Sequence, residues 1–207
     1  MQAENVGELA GLVYLAMHDM IPGTTYAKSA SDRMGIVIRK MEEAEYHLLR
    51  GFLYEAIFVP EGAAVPPEVI VDSAELQVYY VGFGTSKHDR ALVAEGRVVG
   101  AVWCRIMEDY GHINDATPSL AISVHKAWRG VGIGTAMMQE MLALLHACGY
   151  GQVSLSVDKA NYAELRKDNS SPAAFPRLFY TGSTSTQRIP CVKGQTITYS
   201  VSLSSTI

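Results

Sequence analysis

The sequence predicts an α/β fold with a mixed sheet, on three observations. Short β-branched runs alternate with helical periodicity between Ile36 and Val157. Two of those runs flank Glu95-Gly96 and read as a hairpin. A third, Leu120-Ala121-Ile122-Ser123-Val124, leads through a glycine-rich loop into a long amphipathic helix, and another strand follows.

Each element has its own signal. Ile36 to Lys40 is a β-branched run and predicts a strand. Leu49, Phe52, Leu53, Ala56 and Ile57 recur on one helical face, with Glu42, Glu43 and Glu45 near the start, where the helix dipole favours negative charge. Pro60 ends that helix. Pro66-Pro67 suits the first turn of a shorter one, continued by Leu76 to Tyr80 and ending near Gly82-Phe83-Gly84. Ala91 to Ala94 and Val98 to Trp103 are the hairpin strands. Ile133, Met137, Met141, Leu144, Leu145 and Cys148 mark the long helix, with Gly149 placed to cap it, and Val153 to Val157 is the strand beyond.

The ends differ. Leu9 to Met20 would form an amphipathic helix stopped by Pro22-Gly23, so residues 1–35 read as a helical extension and linker. Residues 36–163 form the domain. Residues 164–207 lose the regular pattern: residues 181–186 look like a loop, and Ile197 to Leu203 alone regains strand alternation, as one edge strand.

Composition excludes several classes. Hydrophobic residues make up 48% and charged residues 18% of the 207, a globular balance and not a disordered one. The net charge of −4, without a basic run, disfavours nucleic acid. No apolar stretch approaches the roughly 20 residues that span a bilayer, so no membrane partner is expected. Met1 to Asn5 lacks the positive region of a secretory signal. Cys104, Cys148 and Cys191 are odd in number and far apart. They read as reduced thiols of a cytoplasmic protein, and no metal site is expected from them or from the six histidines.

The segment that carries chemistry runs from Ile122 to Ala136. Gly130, Gly132 and Gly134 remove β-carbons that would block close approach of a ligand. The loop opens into a helix whose first N–H groups have no internal acceptor, and together with the dipole they make an anion cradle. Arg129 adds a permanent positive charge at the entrance. The spacing is not that of a dinucleotide fold, because no acidic residue follows at about 20 positions, and the lysine of a nucleotide P-loop is absent.

Arg129-Gly130-Val131-Gly132-Ile133-Gly134 resembles the acetyl-CoA signature of the GNAT superfamily, Arg/Gln-x-x-Gly-x-Gly/Ala. An apolar strand precedes it and an amphipathic helix follows, as in that family. Val157-Asp158-Lys159-Ala160-Asn161-Tyr162-Ala163 resembles the family's next landmark, a strand ending in an asparagine that opens a helix. The resemblance covers about residues 36–163. It implies a mixed, mostly antiparallel sheet with a splayed central strand pair and helices on both faces. It also implies acetyl-CoA as co-substrate and acetyl transfer to a primary amine by direct attack on the thioester. The backbone of Ile122, Ser123 and Val124 would hold the pantetheine arm, with the Val124 N–H stabilising the oxyanion. Arg129, Gly130, Val131, Gly132, Ile133, Gly134 and Thr135 would hold the pyrophosphate, and Asn161 would contact the far side near the sulfur.

The attacking ammonium must lose a proton. The candidates between the two central strands are Glu108, Asp109, His112 and Asp115, of which Glu108 and His112 are favoured because both flank the point where the strand pair should open. The loops Phe58 to Pro67 and Tyr79 to Phe83 lie where the family shapes its acceptor pocket. The acceptor is an amine, on a small molecule or on a protein, and a homodimer is compatible with the sequence but not specified by it. Beyond Ala163 the family pattern of a tyrosine and a Gly-Phe pair falls on Lys167 and Ser171-Pro172, and neither matches. Three accounts stay open: Tyr162 or Tyr180 standing in, a thiolate protonated by water, or a reading frame disrupted after Ala163. The alternative function is a non-catalytic acetyl-CoA-binding module.

Overall fold

The computed structural model describes residues 35–158, apart from 58, 60, 61, 96, 97, 110 and 111, together with residues 184–189 and 196–203. The expected helix at residues 9–20 lies outside the described residues.

The architecture is a seven-stranded mixed sheet with helices on both faces. β1 (Val37–Lys40) leads into a 3-10 turn (Glu43–Leu48) and α1 (Leu49–Glu55). A second 3-10 turn (Glu68–Asp72) and the short α2 (Ala74–Gln77) follow, then β2 (Arg90–Glu95), β3 (Gly100–Arg105) and β4 (Ser119–Val124). After a third 3-10 turn (Lys126–Trp128) come α3 (Ile133–Ala147), β5 (Gln152–Asp158), β6 (Thr184–Ile189) and β7 (Thr196–Leu203). The strand order is β1-β2-β3-β4-β5-β7-β6. All neighbouring pairs are antiparallel except β4–β5, which is parallel.

Local chemistry sets these elements. The Glu45 carboxylate accepts the Glu42 N–H at 2.9 Å and receives both ends of the Arg39 guanidinium at 2.7 and 2.6 Å, tying β1 to the turn before α1. α3 ends in a Schellman motif: Gly149 (φ 86°) donates to His146 and Tyr150 donates to Leu145, at 2.9 and 3.1 Å. The predicted face of α3 is buried at Ile133, Met137, Met141 and Leu145, whereas Cys148 is exposed at the cap.

Four expectations need correction. The hairpin does not turn tightly at Glu95-Gly96. β2 and β3 pair from Ala94–Gly100, with the Val99 N–H on the Ala94 carbonyl at 3.0 Å, a wider register than a two-residue turn would give. The helix expected from Pro66 to Tyr80 is broken by Ser73, whose extended backbone (ψ 152°) separates the 3-10 turn from α2. The strand expected at Ile197–Leu203 is present as β7 but is internal, flanked by β5 and β6. The edge position belongs to β6, which includes residues 184–186 of the stretch expected to be a loop; its polar sequence gave no apolar alternation, and its register on β7 comes from backbone pairing.

The two faces of β4 are distinct. A side chain at Gly100, opposite Val124, would meet Met137 of α3 at 2.9 Å, so even-numbered β4 residues face α3. Odd-numbered residues face α1 and α2. On that side Trp103, opposite Ala121 and fully buried, donates its indole N–H to the Tyr79 carbonyl at 3.1 Å.

Candidate active site

β4 and β5 pair only at Ser119–Ser154 among the described residues, with the Ser154 N–H on the Pro118 carbonyl at 3.0 Å. Beyond that vertex the two parallel strands run on without further pairing. On the other side of β4, the His125 N–H bonds the Val99 carbonyl at 2.9 Å. Alternation therefore turns the backbone groups of Ile122 and Val124 toward β5 and away from β3. This buried edge offers hydrogen-bond partners to an extended chain. Ser123 lies between Ile122 and Val124, with a hydroxyl on the α1 face that is buried and has no hydrogen-bond partner.

The edge leads to the glycine loop. Gly130 and Gly132 have φ of 84° and 88°, a left-handed backbone that side chains rarely tolerate. Gly132 is the N-cap of α3 and no side chain caps the helix there. The leading N–H groups of α3 are thus presented with the positive end of its dipole. An open strand edge, an orphaned hydroxyl and an uncapped glycine-led helix fit a ligand with an amide-bearing arm and a phosphate end. Acetyl-CoA has both.

Arg129 is engaged on the opposite face. Its Nε donates to the Val124 carbonyl at 2.8 Å, and Nη2 donates to the Glu55 carbonyl at 3.2 Å and lies 3.8 Å from the Glu55 carboxylate. His125 packs its ring on Phe52 of α1, with centroids 4.9 Å apart. A cleft of about 340 Å³ opens at this end of α1, lined by Tyr54, Glu55, Ile57, Pro66, Lys126 and Arg129 among others. Arg50 braces the adjoining turn through two bonds to Asp72 at 2.9 and 2.7 Å. The guanidinium, then the Tyr80 hydroxyl, hold the Asp72 carboxyl at about 2.

At the vertex a polar chain crosses the α1 face. The Tyr79 hydroxyl donates to Asp109 Oδ2 at 2.9 Å and the Ser119 hydroxyl to Asp109 Oδ1 at 2.8 Å, while Ser119 and Ser154 hydroxyls are 3.0 Å apart. Tyr79, Ser119 and Ser154 are buried and Asp109 is half-buried. Glu108 and His112 occupy the same loop but are exposed, with His112 Nδ1 3.0 Å from the Met107 carbonyl. Asp115 is exposed as well. Sequence reasoning had Asp109 among its candidates and preferred its neighbours. It placed Tyr79 in an acceptor-pocket loop, did not single out Ser119, and linked neither to Asp109, because nothing in the local pattern marks a tyrosine and a serine that meet it only in three dimensions. Asn161, Tyr162, Lys167 and Tyr180 lie outside the described residues.

A splayed parallel pair leading into a glycine-capped helix, inside a mixed and mostly antiparallel sheet, defines a CoA-dependent acyltransferase fold. Residues 65–166 match the model of the acetyltransferase (GNAT) family, and the chain carries a GNAT acetyltransferase domain, whose family uses acetyl-CoA. No curated protein matches the sequence. Among solved structures the chain is similar to an N-acetyltransferase from Staphylococcus aureus Mu50 (17% identity, TM-score 0.52, 82% of this chain and 99% of that one). It is also similar to the GNAT domain of PAT from S. lividans (14% identity, TM-score 0.51, 79% of this chain and 88% of that one). At these identities the likeness concerns the fold.

Proposed function

We propose that the protein transfers the acetyl group of acetyl-CoA to a primary amine by direct attack of the neutral amine on the thioester. The observation that carries this reading is the unpaired β4 edge beyond Ser119–Ser154, which runs straight into the uncapped N-terminus of α3. In this reading the backbone of Gly130, Val131, Gly132, Ile133, Gly134 and Thr135 holds the pyrophosphate. The edge groups of Ile122 and the Val124 N–H, with Ser123 between them, hold the pantetheine arm, and Asn161 lies on its far side; the Val124 carbonyl is taken by Arg129. The Val124 N–H donates to the thioester oxygen as negative charge develops there.

The acceptor enters on the α1 face, past the cleft at Glu55 and Pro66. Asp109, in place of Glu108 or His112, receives the ammonium proton, because it alone of the loop's polar residues is hydrogen-bonded to the vertex among the described contacts. The acceptor is an amine of a small molecule or a protein, and a cytoplasmic setting suits the free Cys104 and Cys148. Burial pushes the Cys104 thiol up to about 12, so it is a packing residue and not a nucleophile.

The non-catalytic module is favoured by one observation, the lysine at position 167 where the family pattern has its tyrosine. Calorimetric titration of acetyl-CoA combined with a CoA-thiol release assay over a panel of amines separates the two. An enzyme binds the cofactor and releases thiol with at least one amine. A module binds it and releases none, and a protein that binds no acetyl-CoA contradicts both.

A further inference from the structure

We infer that Arg129 is a positioning residue for the β4 edge and not a phosphate ligand: its guanidinium clamps the Val124 carbonyl to the C-terminal end of α1 and so fixes the direction of the Val124 N–H. This rests on the acetyl-CoA reading above, because the direction of that N–H matters to the chemistry only if the thioester lies beside it.

The geometry is specific. Arg129 Nε meets the Val124 carbonyl at 2.8 Å and Nη2 meets the Glu55 carbonyl at 3.2 Å. Glu55 is the last residue of α1, and the carbonyls of a helix's last turn lack partners within the helix. A cation there satisfies a carbonyl and complements the negative end of the dipole. The Glu55 carboxylate, 3.8 Å from Nη2, adds a charge on the same side. The side chain is 21% exposed, so the clamp is largely shielded from water.

The clamp points away from the cradle. Arg129 reaches α1, whereas the loop that follows it leads to α3 on the other face of the sheet. In a strand, the N–H and C=O of one residue point to the same edge, so a bond that pins the Val124 carbonyl also restrains the Val124 N–H. Such restraint is what a preorganised oxyanion donor requires, since it avoids reorganisation as charge develops. The planar fork of arginine suits two carbonyl acceptors at once, and a lysine ammonium on its flexible stem does not reproduce that geometry.

A phosphate contact and a positioning clamp leave opposite signatures. A contact remote from the reacting carbon contributes equally to ground and transition states and appears in binding, whereas a clamp on the oxyanion donor appears in turnover. The test compares the wild type, Arg129→Lys and Arg129→Ala in two measurements that need no acceptor. Calorimetry gives the affinity for CoA, and NMR gives the carbonyl resonance of bound acetyl-CoA labelled with carbon-13 at the thioester carbon. The clamp predicts CoA affinities within about threefold of wild type for both variants, with the bound carbonyl resonance moving from its wild-type position toward that of free acetyl-CoA. It also predicts a lower kcat at unchanged KM for acetyl-CoA with any amine that the wild type acetylates.

A loss of CoA affinity of about tenfold or more with the carbonyl resonance unmoved would overturn the inference in favour of a phosphate ligand. Both quantities unchanged would overturn it as well. If Arg129→Ala does not fold, Arg129→Lys decides alone, because it keeps the charge and loses the fork. A wild type that binds no acetyl-CoA defeats the acetyl-CoA reading itself, before any variant is compared.

Discussion

The Ser119 hydroxyl donates to Asp109 Oδ1 at 2.8 Å, and that bond joins the loop between β3 and β4 to the vertex at which β4 and β5 part. The Tyr79 hydroxyl completes the chain on the other carboxylate oxygen at 2.9 Å. The half-buried Asp109 carboxylate thus joins Tyr79 to the Ser119–Ser154 pair at the vertex.

Asp109→Asn should therefore lower kcat for amine acetylation by about 100-fold or more, the usual scale of a lost general base. The affinity for acetyl-CoA should stay near that of wild type. Glu108→Gln and His112→Gln should each stay within a few-fold of wild type, since both side chains are exposed on the same loop. Steady-state kinetics of the three variants check the assignment. A collapse in Glu108→Gln or His112→Gln with an active Asp109→Asn would contradict it.

Gly132→Val should abolish acetyl-CoA binding. The N-cap of α3 sits at φ 88°, a conformation that costs a side-chain-bearing residue roughly 1–2 kcal/mol and a branched one more. The added side chain also stands where the phosphate must approach the helix N-terminus. Calorimetry on a variant shown to be folded by circular dichroism is the check, and unchanged affinity would contradict the cradle.

Gly149→Ala separates strain from crowding. Gly149 has φ 86°, yet nothing lies within 4 Å of the position a β-carbon would take. The expected loss of stability is therefore the conformational term alone, about 1 kcal/mol, with no effect on acetyl-CoA affinity. Denaturant titration of the variant measures it.

The Arg39–Glu45 pair makes a pH prediction. Hydrogen bonding to Arg39 lowers the Glu45 carboxyl from 4.5 to about 2. A depressed folded-state value means that the stabilisation is present above the unfolded value of 4.5 and is lost as pH falls through about 2. The melting temperature of Glu45→Gln should lie below that of wild type at pH 7. The gap should narrow between pH 4.5 and 2. A gap independent of pH would show that the pair contributes nothing through charge.

Much of this arrangement was legible in the chain. The glycine-led N-terminus of α3 was, because its signals are local: three alternate glycines between an apolar strand and an amphipathic helix need no distant partner to be recognised. The same holds for β1, β4, α3 and the cap at Gly149. The vertex was not legible, since Tyr79 and Ser119 meet Asp109 from 30 and 10 residues away. Nor was the contact of Arg129 with the Glu55 carbonyl, 74 residues distant. β6 escaped for a different reason. Its residues, Thr184 to Ile189, are mostly polar, and it pairs with β7 through backbone groups that every sequence carries.

The most direct test of the central claim is a crystal structure of the protein with acetyl-CoA bound. The account predicts pyrophosphate oxygens on the backbone N–H groups of residues 130–135, and the pantetheine arm along the β4 edge between the vertex and Val124. It further predicts the thioester oxygen within hydrogen-bonding distance of the Val124 N–H, and the acetyl group open to the α1 face. A cofactor bound away from the β4 edge, or one whose phosphates avoid the N-terminus of α3, would contradict it.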